Sequence, residues 1–115
     1  MATGYIARRS KREGFLLPAG QQAAFTLEAG SYLLYSFGAY ASVRKYAMVF
    51  VTTGGTLYIT TIYAYDTDNV PLTSPENFTL LVKDMHASSN AQIYIEPMAD
   101  STPLPDYSMS EIPQG

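Results

Sequence analysis

The sequence predicts an all-β protein, an antiparallel β-sandwich of jelly-roll-like type with extended N- and C-terminal arms. Three observations carry this prediction. Apolar and polar residues alternate through several short runs. A Gly-Gly pair separates two runs that are rich in β-branched and aromatic residues, as in a β-hairpin. Polar turn segments recur about every 8–12 residues, a spacing typical of sandwiches and barrels, and no run has a clear helical period.

The composition limits the class of protein. The chain of 115 residues has the length of one domain. Charged residues make up 15% of it, against about 25% in a typical globular domain, so neutral polar groups are expected to cover much of the surface. Cysteine is absent, which excludes disulfides, thiolate metal sites and thiol nucleophiles. The apolar runs are too short to predict a secretion signal or a membrane-spanning helix.

The chain divides by composition into three segments. Residues 1–22 are predicted to be a basic N-terminal arm, residues 23–97 the β-sandwich domain, and residues 98–115 an extended, acidic, proline-rich C-terminal tail. Proline fixes φ and favours extended backbone in this tail. The apolar residues Phe15, Leu16 and Leu17, near the end of the basic arm, are enough to anchor the arm on a surface or to add one short strand.

Opposite charges stand near the two ends of the chain. We predict that they set contacts between subunits, by pairing the basic arm with the acidic tail of the same chain or of a neighbour. Contact of the basic arm with phosphate is the alternative. The basic residues concerned are Arg8, Arg9, Lys11 and Arg12. The acidic residues concerned are Asp100, Asp106 and Glu111.

The first two strands follow from alternation along the chain. Phe25 and Leu27 alternate with polar residues, and Ala29 and Gly30 provide a turn. Residues 31–40 then form a longer strand that carries apolar or aromatic side chains on both faces. We expect such a strand at the centre of the domain, where both of its faces are covered.

Residues 46–53 and 56–65 are predicted to form a hairpin around a two-residue loop, with Thr53 opposite Thr56. This register decides which side chains share a face. The more apolar face is predicted to face the core, and it carries Met48, Phe50, Leu57, Ile59 and Tyr63. The half-polar face is predicted to face solvent or a partner, and it carries Val49, Val51, Tyr58 and Thr60.

Two further strands follow a polar loop that covers residues 66–77. Residues 78–83 and 91–96 both alternate, and the polar segment 84–90 connects them. The predicted inward positions are Phe78, Leu80, Val82, Ala91, Ile93 and Ile95. About six strands are therefore predicted, with seven or eight if the arms add to the sheet edges.

The sequence predicts no enzyme active site. The single histidine, His86, lies two residues after Asp84 in a polar loop. We expect it to be an ordinary surface residue, because the sequence offers no well-placed nucleophile beside it. The acidic residues fall in loops and tails rather than at facing positions across a rigid cleft. No catalytic residue and no cofactor are therefore predicted.

A weak candidate metal site lies in the loop after the hairpin. Asp66, Asp68 and Asn69 carry side-chain oxygens of the kind that bind Ca²⁺. The glycine of an EF-hand loop does not follow, since Val70 and Pro71 come next. Hydrogen bonds within a turn explain the same residues, and that interpretation is favoured.

The tyrosines on the predicted strands leave two interpretations open. Exposed tyrosines with amide and carboxylate neighbours can bind sugars, which would make the chain a carbohydrate- or host-receptor-binding module. Tyrosine and threonine also cover ordinary β-sheets and contacts between subunits. The chain has no tryptophan, and we favour the second interpretation, with Tyr58 in contact with a neighbouring subunit.

Several segments resemble small β-sandwich modules of tailed-bacteriophage virion proteins. The segments are AGSYLLYSFGAY (residues 29–40), VFVTTGGTLYITTIYA (49–64), NFTLLVKD (77–84) and AQIYIEP (91–97). Such modules occur in tail fibres, baseplates and capsid decoration proteins. The resemblance implies a non-enzymatic structural protein of the virion, assembled in the host cytoplasm as a homo-oligomer, often a trimer. It assigns no functional residue.

The same resemblance implies other virion proteins as partners besides further copies of the chain. A host-surface glycan is the alternative partner. The net charge of −3 argues against nucleic acid, which basic surfaces bind.

Overall fold

A computed structural model describes residues 13–38, 43–65, 69–99 and 101–113. Within these residues the chain forms nine β-strands and no helix. None of the described residues therefore belongs to a helix that is long and apolar enough to cross a membrane. The strands are β1 (Glu13–Leu17), β2 (Gln21–Thr26), β3 (Gly30–Phe37), β4 (Val43–Val51), β5 (Leu57–Ala64), β6 (Leu72–Thr73), β7 (Thr79–Lys83), β8 (Ala91–Pro97) and β9 (Asp106–Glu111).

The strands form two antiparallel sheets that pack against each other. The five-stranded sheet has the order β1-β8-β3-β4-β5, and the four-stranded sheet has the order β6-β7-β2-β9. Strands β3, β4 and β5 are consecutive neighbours, and β8 returns from a distant part of the chain to lie beside β3. This is the strand order of a Greek key. The predicted all-β class, with antiparallel sheets in two packed layers, is confirmed.

The hydrophobic core lies between the sheets and uses alternate positions of their strands. Phe25 of β2, Leu80 and Val82 of β7, and Ile93 and Ile95 of β8 are buried, as the alternation predicts. A period of two places every second side chain on one face of a sheet, so local sequence is sufficient to predict these positions. The other members of the buried core are Leu17, Ala23, Leu27, Tyr32, Leu34, Val49, Val51, Val70 and Ala91.

The β4–β5 hairpin closes with a three-residue loop that ends at Gly55. Gly55 donates its N–H to the Thr52 carbonyl over 3.0 Å, and Thr52 donates its N–H to the Thr56 carbonyl over 2.9 Å. With Gly55 at φ +97°, this is a type I turn followed by a left-handed glycine. The predicted two-residue loop, with Thr53 opposite Thr56, is wrong because Gly54 does not adopt a positive φ.

The additional loop residue reverses the predicted faces of β4. A one-residue change of register moves every side chain of a strand to the opposite face. The core side of the hairpin therefore carries Val49, Val51, Leu57 and Ile59. The outer side carries Met48, Phe50, Tyr58 and Thr60. Met48 and Phe50 were predicted to face the core and are instead exposed.

A β-bulge in β5 determines the face of Tyr63. Ala47 is opposite Thr61 and Tyr46 is opposite Tyr63, so Ile62 is the additional residue between these pairs. A bulge shifts the alternation of a strand by one residue. The prediction that Tyr63 faces the core is therefore wrong, and Tyr63 lies on the outer side with Tyr46.

Each of the two predicted arms supplies an edge strand. β1 pairs with β8, and β9 pairs with β2. The ring of Phe15 in β1 stacks on Tyr107 of β9 with the centroids 4.0 Å apart, and Tyr107 also lies 5.6 Å from the ring of Phe25. Aromatic contacts therefore fix both edge strands to the core, and β9 lies on the sandwich of its own chain.

Tyr32 fixes the start of β3. Its hydroxyl donates to the Glu28 carbonyl over 3.0 Å and accepts from the Glu28 N–H over 2.9 Å. Burial raises the pKa of this phenol above its ordinary value, the hydrogen bond to the Glu28 backbone lowers it by less, and the Glu28 charge adds to the rise. The phenol therefore stays neutral near pH 7, where it can both donate and accept.

Candidate interaction surface

The outward side of the five-stranded sheet is apolar and largely aromatic. Tyr35 is paired with Tyr46 on one side and with Tyr94 on the other, and Phe50 is opposite Tyr58. Directly opposite residues of antiparallel strands share a face, so these side chains form one surface, which we call the aromatic face. Its members are Leu16, Leu33, Tyr35, Phe37, Tyr46, Met48, Phe50, Tyr58, Tyr63 and Tyr94.

The β4–β5 end of the aromatic face is strongly exposed. Phe50 exposes 48% of its surface and Tyr58 exposes 60%. Met48 and Tyr63 are also exposed beside them. Single exposed apolar residues are ordinary on protein surfaces, whereas a contiguous apolar patch is a feature of interaction sites. Tyr58, the predicted contact residue, therefore stands within an apolar patch rather than on the half-polar face that was expected.

The centre of the aromatic face is ordered by contacts between rings. Tyr35 stacks on Tyr46 with the centroids 5.0 Å apart, and Phe37 meets Tyr94 edge to face at 5.4 Å. The Tyr94 ring also lies over the backbone of Gly14, where an added Cβ would overlap it. Packed aromatic side chains lose little further freedom when a partner binds, which lowers the entropic cost of binding.

The outward side of the four-stranded sheet differs from the aromatic face. Its side chains are mostly short or polar, and Gln22 donates an amide hydrogen bond to the Ser110 hydroxyl over 3.3 Å. The outward positions are Gln22, Ala24 and Thr26 of β2, Thr79, Leu81 and Lys83 of β7, and Asp106, Ser108 and Ser110 of β9. The molecule therefore has one aromatic and one polar sheet surface.

The predicted contact residues do not all lie together. Tyr58 is on the five-stranded sheet, whereas Asp106 and Glu111 are exposed at the two ends of β9, opposite Thr26 and Gln21 in the four-stranded sheet. The remaining predicted contact residues, Arg8, Arg9, Lys11, Arg12 and Asp100, lie outside the described residues.

The weak metal-site candidate falls only partly within the described residues. Asp66 and Asp68 lie outside them. The backbone carbonyl of Asn69 accepts the N–H of Met85 over 2.7 Å, so this residue helps to hold the loop against the segment after β7. Among the residues that the structure describes, no three His, Cys, Asp or Glu side chains are grouped as metal ligands would be.

His86 is more enclosed than the sequence predicts. Its Nδ1 lies 2.7 Å from the Asp84 carboxylate, which is fully buried, and only 12% of the His86 side chain is exposed. The same carboxylate oxygen accepts the His86 backbone N–H over 3.1 Å. This oxygen therefore closes a turn two residues long, as Asp side chains commonly do. The expectation of an ordinary surface histidine is wrong, and the Asp84–His86 pair has a structural role in this turn.

An open groove of about 760 Å³ lies at the β1–β8 end of the aromatic face. Phe37 and Tyr94 form its apolar wall, and its polar lining comes from Gln92 and from the segment 88–90. Asn90 is held in place because its side-chain oxygen accepts the Ala19 N–H over 3.3 Å. Local sequence does not indicate this groove, because Phe37 and Tyr94 become neighbours only through the pairing of β3 with β8.

Two of the tyrosines that suggested sugar binding are less suitable than this groove. Tyr65 has the guanidinium of Arg44 over its ring, 5.2 Å from the centroid, so one ring face is covered. Tyr58 lies opposite Phe50 and beside Thr60 rather than beside amide side chains. Aromatic and amide groups converge instead at Tyr94 and Gln92.

Comparisons with family models, curated proteins and solved structures gave no match. The fold and surface on their own describe a two-layer antiparallel β protein that exposes one aromatic sheet face.

Proposed function

We propose that this chain is a non-enzymatic structural subunit of a bacteriophage virion, which assembles with further copies of itself and with other virion proteins. The phage context comes from the resemblance of its segments to virion β-sandwich modules. The observation that carries the assembly function is the contrast between the exposed aromatic face and the polar outer side of the other sheet. Aromatic residues and methionine are enriched at the cores of protein interfaces.

The composition of the aromatic face favours a protein partner. Its centre is uncharged, and Glu96, opposite Leu33, stands among the few charged residues at its outward positions. An apolar centre with a polar margin is the usual arrangement of a protein interface. Strand spacings of about 4.8 Å and a rise of about 3.4 Å per residue give this face a flat area of roughly 300 Å².

An area of this size is small for a stable assembly. Stable complexes bury about 800 Å² on each partner. The proposal therefore includes the terminal segments as additional contacts, with the basic residues of the N-terminal arm and the acids Asp106 and Glu111 pairing between subunits. Placement in a tail, a baseplate, a fibre or a capsid is compatible with this assembly.

A jelly-roll-like topology is part of the proposal. β1 pairs with β8 and β2 pairs with β7, which are pairings of a long hairpin wound over two sheets, as in a jelly roll. β3, β4 and β5 are neighbours within one sheet. The topology therefore resembles a jelly roll only in the pairings of β1 with β8 and of β2 with β7.

We predict that apolar-to-polar substitution on the aromatic face reduces self-assembly. The double variant Met48→Ser/Phe50→Ser removes two exposed apolar side chains and leaves the core positions Val49 and Val51 unchanged. It should raise the concentration needed for assembly about tenfold or more, since each lost apolar contact weakens the interface. Sedimentation velocity over a range of concentrations measures this change.

A matched control is Leu81→Ser, on the outer side of the four-stranded sheet. This variant should assemble as the unmodified chain does. A chain that sediments as a compact monomer at all concentrations, or a control that is as damaging as the double variant, would overturn the proposed assembly through the aromatic face.

A carbohydrate-binding module is the second candidate function, and the groove at Phe37 and Tyr94 favours it. Sugars combine apolar ring faces with hydroxyl groups, so an aromatic wall beside amide and hydroxyl side chains suits them. Gln92, Ser88 and Asn90 supply those polar groups. In this candidate function the chain would bind a host-surface glycan.

We predict for this second candidate that Tyr94→Ala abolishes glycan binding. Binding is measured on a glycan array and by saturation-transfer NMR with the glycans that the array selects. Tyr58→Ala, at the other end of the aromatic face, is the control and should bind as before. Absence of binding to any glycan by the unmodified chain excludes this candidate.

A further inference from the structure

Strand β5 is an unprotected sheet edge. It is the last strand of the five-stranded sheet, and within the described part of the chain no strand pairs with its far side. Proteins usually protect sheet edges with charges, proline or short strands, because an open edge can pair with another chain. β5 has eight residues, LYITTIYA, with neither a charge nor a proline. Its bulge at Ile62 is the one protective feature present.

The other three edge strands are better protected. β6 has only two residues, and β9 begins with Asp106 and ends with Glu111. β1 has five residues, and its sequence includes Glu13 and Gly14. The contrast singles out β5 as the edge that is suited to pairing with another molecule.

The hydrogen-bonding groups that face the open edge of β5 follow from the hairpin loop. Thr52 donates to the Thr56 carbonyl, so these two residues form a hydrogen-bonded pair. Hydrogen-bonded and non-hydrogen-bonded pairs alternate along an antiparallel ladder. Thr60 is therefore bonded toward β4, whereas the N–H and C=O groups of Ile59 and Thr61 point toward the open edge.

We propose that a second copy of this chain pairs with β5 in antiparallel orientation, about a two-fold axis that places Thr60 opposite Thr60 of the second copy. Ile59 is then opposite Thr61 of the second copy, and these two residues exchange their edge-facing hydrogen bonds. The inference does not depend on a phage origin or on the aromatic face binding a partner.

The side chains of β5 are compatible with one another in this arrangement. Its sequence LYITTIYA has no charged residue, so no charge is buried or left unpaired on either side of the axis. Because Ile62 is the bulged residue, Tyr58 comes opposite Tyr63 of the second copy, and both lie on the outer side. A two-fold contact requires a surface that complements itself, and this strand provides one on both sides of the axis.

The pairing would extend the aromatic face across two molecules. Two five-stranded sheets would join into one continuous sheet, with four tyrosines beside the axis: Tyr58 and Tyr63 of each copy. Cross-strand aromatic pairs of this kind stabilise antiparallel sheets. The contact differs from face-to-face packing, because it uses the backbone of β5 rather than the side chains of β4.

A single-cysteine variant tests the axis directly, because the chain has no cysteine. Non-hydrogen-bonded pairs such as Thr60 with its copy have Cα atoms about 4.5 Å apart, within the range that a disulfide spans. Thr60→Cys should form a disulfide-linked dimer under mild oxidation. Ser108→Cys, at an exposed position of the edge strand β9, should stay monomeric on a denaturing gel. Equal cross-linking of the two variants, or none at Thr60→Cys, overturns the proposal.

Charge substitution provides an independent test without a covalent bond. Thr60→Lys and Thr60→Glu each place like charges opposite each other at the axis, so each alone should raise the dimer dissociation constant at least about tenfold. A mixture of the two variants should restore the dimer. Thr60 is exposed, and unchanged urea midpoints will verify that both variants fold.

The outcome separates edge pairing from contacts through the aromatic face. A dimer that is weakened by Met48→Ser/Phe50→Ser, and that either tolerates Thr60→Lys or is not restored by mixing Thr60→Lys with Thr60→Glu, would assign the contact to the aromatic face and overturn the edge proposal. Restoration in the mixture, measured by sedimentation equilibrium, supports the two-fold axis at Thr60.

Discussion

Gly55→Ala is expected to lower the free energy of unfolding by about 2–4 kcal/mol, whereas Gly54→Ala should leave it unchanged or raise it slightly. The two glycines are adjacent, yet only Gly55 has a positive φ, at +97°. A side chain at that φ costs about 1–2 kcal/mol from the backbone alone. Gly54 has no such requirement, and an added Cβ there would meet only the Thr52 hydroxyl, at 3.9 Å.

The rest of the expected loss at Gly55 comes from its contact with Phe78. A Cβ at Gly55 would lie 2.6 Å from the Phe78 ring, which is far too close for two carbon atoms. Phe78 cannot move away freely, because its N–H donates to the Gly55 carbonyl over 2.8 Å and its carbonyl accepts the Leu27 N–H over 2.9 Å. These bonds hold Phe78 at φ +63°, a conformation that is uncommon for a bulky residue.

Urea unfolding of both alanine variants measures this difference. The neighbouring Gly54→Ala is the matched control, since it makes the same chemical change in the same loop. Equal midpoints for the two variants would show that Gly55 tolerates a side chain, and the three-residue loop with its left-handed glycine would then be incorrect.

The same loop shows what local sequence could not predict. Two glycines between β-rich runs predict a hairpin, and the hairpin is present. The sequence does not show that Phe78, more than twenty residues further along the chain, packs on Gly55. In the structure Phe78 also donates its N–H to the Gly55 carbonyl, so a distant residue helps to hold the three-residue loop that sets the register of β4 and β5.

Alternation succeeded where one face was clearly more apolar than the other. In β7 and β8 the inward positions Leu80, Val82, Ile93 and Ile95 alternate with residues that, apart from Leu81, are more polar, and all four are buried. In the β4–β5 hairpin both faces are apolar, so the alternation could not decide which one faces the core. Val49 and Val51 of β4 are buried, whereas the larger Met48 and Phe50 are exposed.

The aromatic face was only partly predictable for a related reason. Tyr58 and Tyr63 are five residues apart in the sequence, an odd separation that puts them on opposite faces of a regular strand. The bulge at Ile62 brings them to the same face. A bulge changes the direction of side chains without a clear local signature, so the shared surface became apparent only from the strand pairing.

Phe25→Ala is expected to lower the free energy of unfolding by about 3–5 kcal/mol, because it leaves a cavity in the packed core. Phe25 is 1% exposed, and its ring lies 5.8 Å from Phe15 of β1 and 5.6 Å from Tyr107 of β9. This one side chain therefore supports both edge strands that come from the predicted arms. Its removal should destabilise those edges as well as the centre of the sandwich.

The matched control is Phe50→Ala, which removes the same side chain from an exposed position and should cost less than about 1 kcal/mol. Urea unfolding gives both values, and amide hydrogen exchange should show the earliest loss of protection in β9 for Phe25→Ala. Should that variant be unfolded in buffer, Phe25→Leu should fold with a smaller loss, since it removes less volume. Equal losses at Phe25 and Phe50 would contradict the assignment of inner and outer faces. A larger loss at Phe25, together with reduced amide protection in β9, would show that this terminal strand depends on the same core as the central ones.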